Sequence, residues 1–398
     1  MKKFIYSLCL CVAVCLGSCK DDPKFEEISW VSTDDASQVT RNSALLSGSY
    51  NYSSGYETEQ VGSKGFYLST SPTFDSEDTQ SWFTSDYLNS VARVEDWGHS
   101  FTVKCTGLKE NTTYYFYACI RHRYYYGDQI IKGEVKSFTT QNLVAPEGAI
   151  RSVFYVDWGS KKKPVFFSKG NLQYQASTNT WRFAEHQYDY IGNGNANASA
   201  SYSGWIDLFG WGTSGYAAHY PYMTSTTYSD YILWNSIAKT SFDWGVYNAI
   251  SNGGNQAGKW RTLTDDEWGS VLSSCSGKSR ATVCGVHGYV LLPEYFEQPA
   301  GISWTSAAGN WTTNTYDAQA WLSMENAGAV FLPAAGYRSG TSVYDLGTEG
   351  RYWSSTRSSG EGPQFLRFSE SISITANYYY YLNGGYIGGS VRLVQDYQ

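Results

Sequence analysis

Phe101-Thr-Val-Lys-Cys-Thr-Gly-Leu-Lys-Glu-Asn-Thr-Thr-Tyr-Tyr-Phe-Tyr-Ala-Cys-Ile120 consists of two alternating runs joined by a polar turn. Side chains of an extended chain point to opposite faces in turn, so Val103, Cys105 and Leu108 point inward and Phe116, Ala118 and Ile120 continue that inward face. Tyr114 opens the second run, where a tyrosine corner would hydrogen-bond back to the preceding loop while its ring packs on the core. Upstream, Ala44–Gly48 and Gly65–Ser69 read as further strands, and Thr70-Ser71-Pro72 as a turn. Turn clusters recur every 8–12 residues or so, the spacing of an all-β sandwich over residues 28–140.

Three pieces of this region, Gly65 to Pro72, Gly107 to Tyr114 and Ser137 to Thr140, follow "GF-x-x-ST-x-P", "GL-x-x-NT-x-Y" and "SFTT". In this they resemble bacterial fibronectin type III domains. The resemblance implies a spacer or binding module without catalysis, which in surface lipoproteins holds a distal domain away from the membrane. Tyr124-Tyr125-Tyr126 follows the second run, as a contact patch or as a packed hairpin cover.

The N-terminus predicts export. Two lysines precede an apolar run from Phe4 to Leu16, too short to span a hydrocarbon core of about 30 Å, and Gly17-Ser18 stand before Cys19. Residues 1–18 read as a signal peptide. Leu16-Gly17-Ser18-Cys19 resembles a bacterial lipobox, which implies diacylglyceryl attachment at Cys19 and a membrane partnership through lipid alone. Residues 19–27 form the tether. Its Lys20, Asp21 and Asp22 resemble the surface-export signal of Bacteroides-type lipoproteins, or serve as a solvated spacer. The expected location is the outer membrane, facing the cell exterior.

The chain has 398 residues, 42% hydrophobic and 17% aromatic, a composition of β-rich cores rather than disorder. Its net charge of −7 becomes about −9 once Lys2 and Lys3 leave with the leader, which disfavours nucleic acid as a partner. The histidines (His99, His122, His186, His219 and His287) are scattered without HExxH or CxxC spacing, so no metal and no cofactor is expected. Among the cysteines beyond Cys19, Cys105 and Cys119 fall on opposite strand faces. Cys275 and Cys284 flank a Gly/Ser stretch read as a loop, across which a local disulfide either forms or not as geometry decides.

Residues 141–145 read as a linker, and residues 146–398 hold 12 of the 15 tryptophans, in a background of Gly, Ser, Asn and Tyr that predicts long loops. One helix is marked: Thr264 and Glu267 form a capping box, Asp265 and Asp266 suit the positive helix start, and Trp268, Val271 and Leu272 make an apolar stripe. Strands are expected at Val165–Phe167, Gly288–Leu292, Ala329–Leu332, Gln364–Phe368 and Ser390–Val394.

Arg261 to Trp268 resembles the "R-L-P-T-x-x-E-W" segment of the formylglycine-generating enzyme/sulfatase-modifying superfamily. Gly350 to Thr356, Phe365 to Phe368 and Gly389 to Val394 resemble the "G-x-YWSST … L-x-F … SVRLV" ending of related non-catalytic domains in surface proteins of gut Bacteroidota and Fibrobacter. Gly170 to Tyr174, Trp181 to Phe183 and Gly204 to Trp211 fit the same group. The resemblance implies an α+β C-type-lectin-like fold, so the whole reads as a multidomain chain. The family's copper-binding C-terminal cysteine pair has no counterpart, since no cysteine follows Cys284, and no catalytic residue is expected. A divergent enzyme of that superfamily and a structural or pilus-associated component stand as alternatives to a non-catalytic binding or adhesion protein.

A glycan or protein ligand would need exposed rings beside polar groups. The run Tyr378, Tyr379, Tyr380 and Tyr381 lies before the last strand, and four successive rings of an extended segment cannot all enter one core. Those tyrosines, bordered by Trp353, Tyr337 and Arg338, either form the ligand site or cap a loop-rich core. A sugar-binding calcium site is not expected, because Trp234-Asn235-Ser236 lacks the acid.

Overall fold

The computed structural model describes residues 28–52, 61–83, 99–124, 127–156, 163–231, 235–358, 362–379 and 384–397. The leader, Cys19, Lys20 to Asp22, Tyr125, Tyr126, Trp234, Tyr380 and Tyr381 lie outside them. The chain is mostly β-sheet with few helices, and it divides between Leu143 and Val144 into two compact units.

The first unit contains β1 (Ile28–Thr33), β2 (Ser43–Tyr52), β3 (Val61–Ser69), β4 (Gln80–Phe83), β5 (His99–Thr106), β6 (Thr113–Tyr124), β7 (Gly127–Lys132) and β8 (Lys136–Thr139). One antiparallel sheet runs β1-β2-β5. The other runs β4-β3-β6, with β7 and β8 pairing successive parts of β6. The expected alternation is present: Cys105, Leu108, Phe116, Ala118 and Ile120 join Leu46 and Phe66 in the core between the sheets. Cys119, on the opposite face, is also buried but outside that core. Gly48 lets the layers close, because a Cβ there would lie 2.7 Å from that of Ala118. The Tyr114 hydroxyl accepts a hydrogen bond from the Lys109 backbone N–H at 2.9 Å, and its ring stacks on Phe138 at 5.8 Å. This is the corner expected from the sequence.

The second unit contains β9 (Phe154–Tyr155), β10 (Pro164–Phe167), β11 (Leu172–Gln175), β12 (Thr180–Phe183), β13 (Trp205–Ile206), β14 (Arg261–Thr262), β15 (Gly277–Val283) and β16 (Val286–Leu292). Then follow β17 (Thr315–Tyr316), β18 (Val330–Pro333), β19 (Tyr337–Ser339), β20 (Ser342–Tyr344), β21 (Glu349–Ser358), β22 (Gly362–Ser369), β23 (Thr375–Tyr379) and β24 (Leu393–Asp396). Its helices are α1 (Trp244–Tyr247), α2 (Asp265–Ser274) and α3 (Ala318–Asn326). The sheets run β14-β24-β10-β9, β12-β11-β13, β17-β15-β16-β18, β19-β20 and β21-β22-β23.

The sheet β21-β22-β23 divides the main core in two. Tyr352, Leu366 and Phe368 face the cluster that holds Trp268 and Val271 of α2, while Trp353 and Phe365 face a cluster with Trp181, Trp211, Trp244 and Trp260. The indole N–H groups of Trp211, Trp244 and Trp260 donate to the carbonyls of Ser354, Thr213 and Gly253. Each such tryptophan fills volume and ties down a stretch of irregular backbone, which accounts for much of the tryptophan content of a loop-rich unit.

The α2 capping box is complete, with Thr264 accepting from the Glu267 N–H and Glu267 from the Thr264 N–H. The Arg261 guanidinium grips both carboxylate oxygens of Glu267, at 2.7 and 2.9 Å, and reaches Asp396 of β24 at 2.8 Å. The Arg261–Trp268 motif thus joins β14, α2 and β24. Two expectations are corrected. The last strand begins at Leu393 rather than Ser390, since Gly388 to Ser390 make only isolated bridges. The Gly/Ser stretch between Cys275 and Cys284 is no loop but β15, paired on both edges. At about 3.3 Å per residue the strand separates the two cysteines far beyond the roughly 7 Å that a disulfide permits between Cα atoms, and both are free.

Candidate functional site

Of the residues expected to form the site around Tyr378, Trp353 and Arg338 belong to the interior, and the side chains of Tyr379, Tyr380 and Tyr381 lie outside the described residues. Trp353 is 2% exposed, with its indole N–H donated to the Phe209 carbonyl at 2.7 Å, and the depression beside it, lined by Arg351, Phe365 and Ile387, is too tight for a water molecule. Arg338 is 1% exposed. Its guanidinium clamps the carbonyls of Leu208, Gly340 and Met223 at 2.6–3.2 Å, holding three loops together. Neither residue borders a binding surface, and both expectations are corrected. Tyr337 is half-buried between the Tyr344 ring at 5.2 Å and the Arg351 guanidinium at 3.5 Å. Tyr378 packs on Phe365 and lies 4.5 Å beneath the Arg367 guanidinium. Tyr379 is in β23, paired with Gln364.

These rings flank an ionic cluster instead. Arg367 donates twice to Glu349 at 2.8 Å, and Arg351 donates to the same carboxylate. Burial pushes the Glu349 carboxyl up, but the two guanidiniums outweigh it and hold the group below its ordinary range.

An open cleft of about 340 Å³ lies elsewhere on this unit. Tyr216 and Phe242 form its aromatic part, Asn235, Ser236, Thr240 and Ser241 its polar part, and buried Ile237 belongs to its lining. Tyr216 is 40% exposed and is held edge-on by Phe242 at 5.1 Å and Tyr247 at 5.4 Å. Tyr220, also exposed, stacks on Tyr222 nearby in sequence.

The walls are irregular segments pinned from behind. Ile237 donates its N–H to the Ser355 carbonyl, and the Ser236 hydroxyl accepts from the Arg357 N–H, so both attach to β21. Ser214 donates to the Ser241 carbonyl at 2.6 Å, tying the two walls together. Asp243 caps α1 and also accepts from the Thr262 N–H and hydroxyl at 3.0 Å. Burial raises the Asp243 carboxyl to about 6 despite these bonds.

Backbone strain gathers here. Ala217, Ala218 and Lys239 have φ of 51°, 67° and 61°, the left-handed region that costs a non-glycine residue about 1–3 kcal/mol. Such strain persists only where surrounding contacts over-determine it, and it is common at ligand sites. His219 packs edge-on against Phe242 at 5.3 Å. Burial lowers its pKa, and its Nδ1 has no hydrogen-bond partner among the described residues.

Sequence reading missed this cleft. Its residues are spread over 216–242 with no motif, and only the density of Tyr between 216 and 231 hinted at it. His186, His219 and His287 lie in unrelated surroundings, beside Asp189, Phe242 and Trp311. Among the described residues no group of three His, Cys, Asp or Glu side chains could hold a metal ion.

No family model and no curated protein matches the chain. Solved structures similar to part of it include the sensor domain of the anti-sigma factor RsgI4 in Pseudobacteroides cellulosolvens. That likeness has 16% identity and a TM-score of 0.20, over 28% of this chain and 94% of the other. The solution structure of that sensor domain matches at 17% identity and TM-score 0.20, over 31% and 83%. A fibronectin type III domain derived from the human KIAA0970 protein matches at 15% identity and TM-score 0.18, over 30% and 77%. These likenesses are slight and assign neither family nor ligand.

Proposed function

We propose that the chain is a lipid-anchored surface protein with a non-catalytic binding or adhesion role, its second unit carrying the ligand site and its first serving as a fibronectin type III-like spacer. The observation that carries this reading is the cleft bounded by Tyr216 and Phe242: a concave, part-aromatic, part-hydroxyl surface built on strained backbone and braced against β21. The tyrosine corner and the two-sheet strand order support the spacer reading. Four of the quoted motifs of the second unit, those that begin at Arg261, Gly350, Phe365 and Gly389, fall on the adjoining elements β14 with α2, β21, β22 and β24, and the other three on the sheet β12-β11-β13, which supports the sulfatase-modifying-factor-like, C-type-lectin-like reading of that unit.

Binding is favoured over the superfamily's oxidase chemistry because the Arg261–Trp268 segment has a complete structural explanation and the two free cysteines stand at opposite ends of β15. The test is a combined glycan and protein array probed with the detergent-solubilised full chain. Ligand capture that is lost on Tyr216→Ala supports the reading. Capture unchanged by Tyr216→Ala and Phe242→Ala would place the ligand elsewhere and overturn it.

A further inference from the structure

Resting on that reading of the cleft, we infer that its ligand class is a neutral, hydroxyl-rich sugar ring, presented by an uncharged oligosaccharide. The first argument is charge. Among the described residues, none of the side chains that line the cleft is a carboxylate, ammonium or guanidinium, and the exposed Lys239 of the same wall is not part of the lining. Asp243, the acid next in sequence, is fully buried and turned onto Gly245 and Thr262, while the Arg357 group that meets Ser236 is its backbone N–H. An anionic ligand would meet no compensating cation among the described lining residues.

The second argument is the pairing of ring and hydroxyl. A sugar ring has an apolar face of C–H groups and an equatorial rim of hydroxyls. Tyr216, 40% exposed and braced by Phe242 and Tyr247, offers the apolar contact with little rotamer freedom to lose. Asn235, Ser236 and Ser241 bring an amide and two hydroxyls to the same cleft, groups that can both donate and accept, while the Thr240 hydroxyl already donates to the Ile237 carbonyl at 2.8 Å. The third is size. About 340 Å³ is near the lower end of small-molecule sites, roughly 300–1,000 Å³, and suits a chain end or short segment rather than the broad flat area of a protein partner.

The experiment titrates the detergent-solubilised full chain with cellohexaose, mannohexaose, maltohexaose and chitohexaose, with oligogalacturonate and a peptide library as the other arms. At least one neutral oligosaccharide should bind, about tenfold or more tighter than oligogalacturonate. Tyr216→Ala should weaken it about tenfold or more, a loss of ~1.4 kcal/mol or greater, and Tyr216→Phe, which keeps the ring, should retain it. Preference for oligogalacturonate or a peptide, with the same Tyr216→Ala loss, would overturn the sugar class and leave the cleft as the ligand site. Neutral binding indifferent to Tyr216→Ala would overturn both. Binding of no neutral oligosaccharide would overturn the inference.

Discussion

Tyr114 shows how much a single hydroxyl can hold. Its bond from Lys109 N–H closes the loop between β5 and β6, and Phe at this position keeps the ring on Phe138 while leaving that N–H without its partner. Tyr114→Phe should destabilise the first unit by about 1 kcal/mol, read as a lower denaturant midpoint with unchanged slope. Buried carboxylates act at the same scale in the second unit. Burial raises Asp207 and Asp243 from 3.8 to about 6 in the fold, although Asn195 and the Ile191 N–H bond the first and Thr262 and Gly245 the second. A group raised in the fold binds its proton more tightly there, so each favours folding at low pH and loses on the order of 3 kcal/mol as pH rises from about 4 to above 6. Glu349 and Asp396, held below their ordinary values, lose their stabilisation only as pH falls beneath 4.5 and 3.8. His219, depressed by burial, opposes the trend below 6.5, one modest shift against two large ones. Thermal melting should therefore be highest near pH 5, above its value at pH 7.5, and Asp207→Asn should shrink that difference. A melting temperature that rises steadily from pH 5 to 7.5 would contradict the assignment.

Among the elements, α2 was legible residue by residue because its signal is local: cap, box, acidic first turn and apolar stripe sit within nine positions. Thr264→Ala should cost about 1 kcal/mol, measured in urea. The β15 strand was not legible: its pairing with β16 is local, but the burial of its polar residues depends on partners farther along the chain. Arg280 donates to the carbonyls of Ser369 and Ala308, and Asn314 bridges Ser279 and Thr305. Polar residues that are satisfied only by tertiary contacts look like loop when read alone. The same holds for Arg338 and Trp353, whose polar ends are satisfied by backbone carbonyls far away in sequence. Helix α3, capped by Asp317 with Trp321 and Met324 buried one turn apart, has a cap and spacing as local as those of α2, although no helix was expected there.

At the scale of the whole molecule, the sequence conveyed the sandwich of the first unit well, since alternation and turn spacing are strand properties, and conveyed the ligand site poorly, since a cleft between loops has no period. Cys19→Ala should move the protein from the membrane to the soluble fraction, and unchanged retention would contradict the lipobox. Where ligand binds is read most directly from a pair of affinities for the ligand captured on the array. Tyr216→Ala should lose at least about tenfold, and Tyr378→Ala, whose ring packs on Phe365, should leave the affinity unchanged. The reverse, an unchanged affinity for Tyr216→Ala with a loss for Tyr378→Ala, would contradict the cleft as the ligand site.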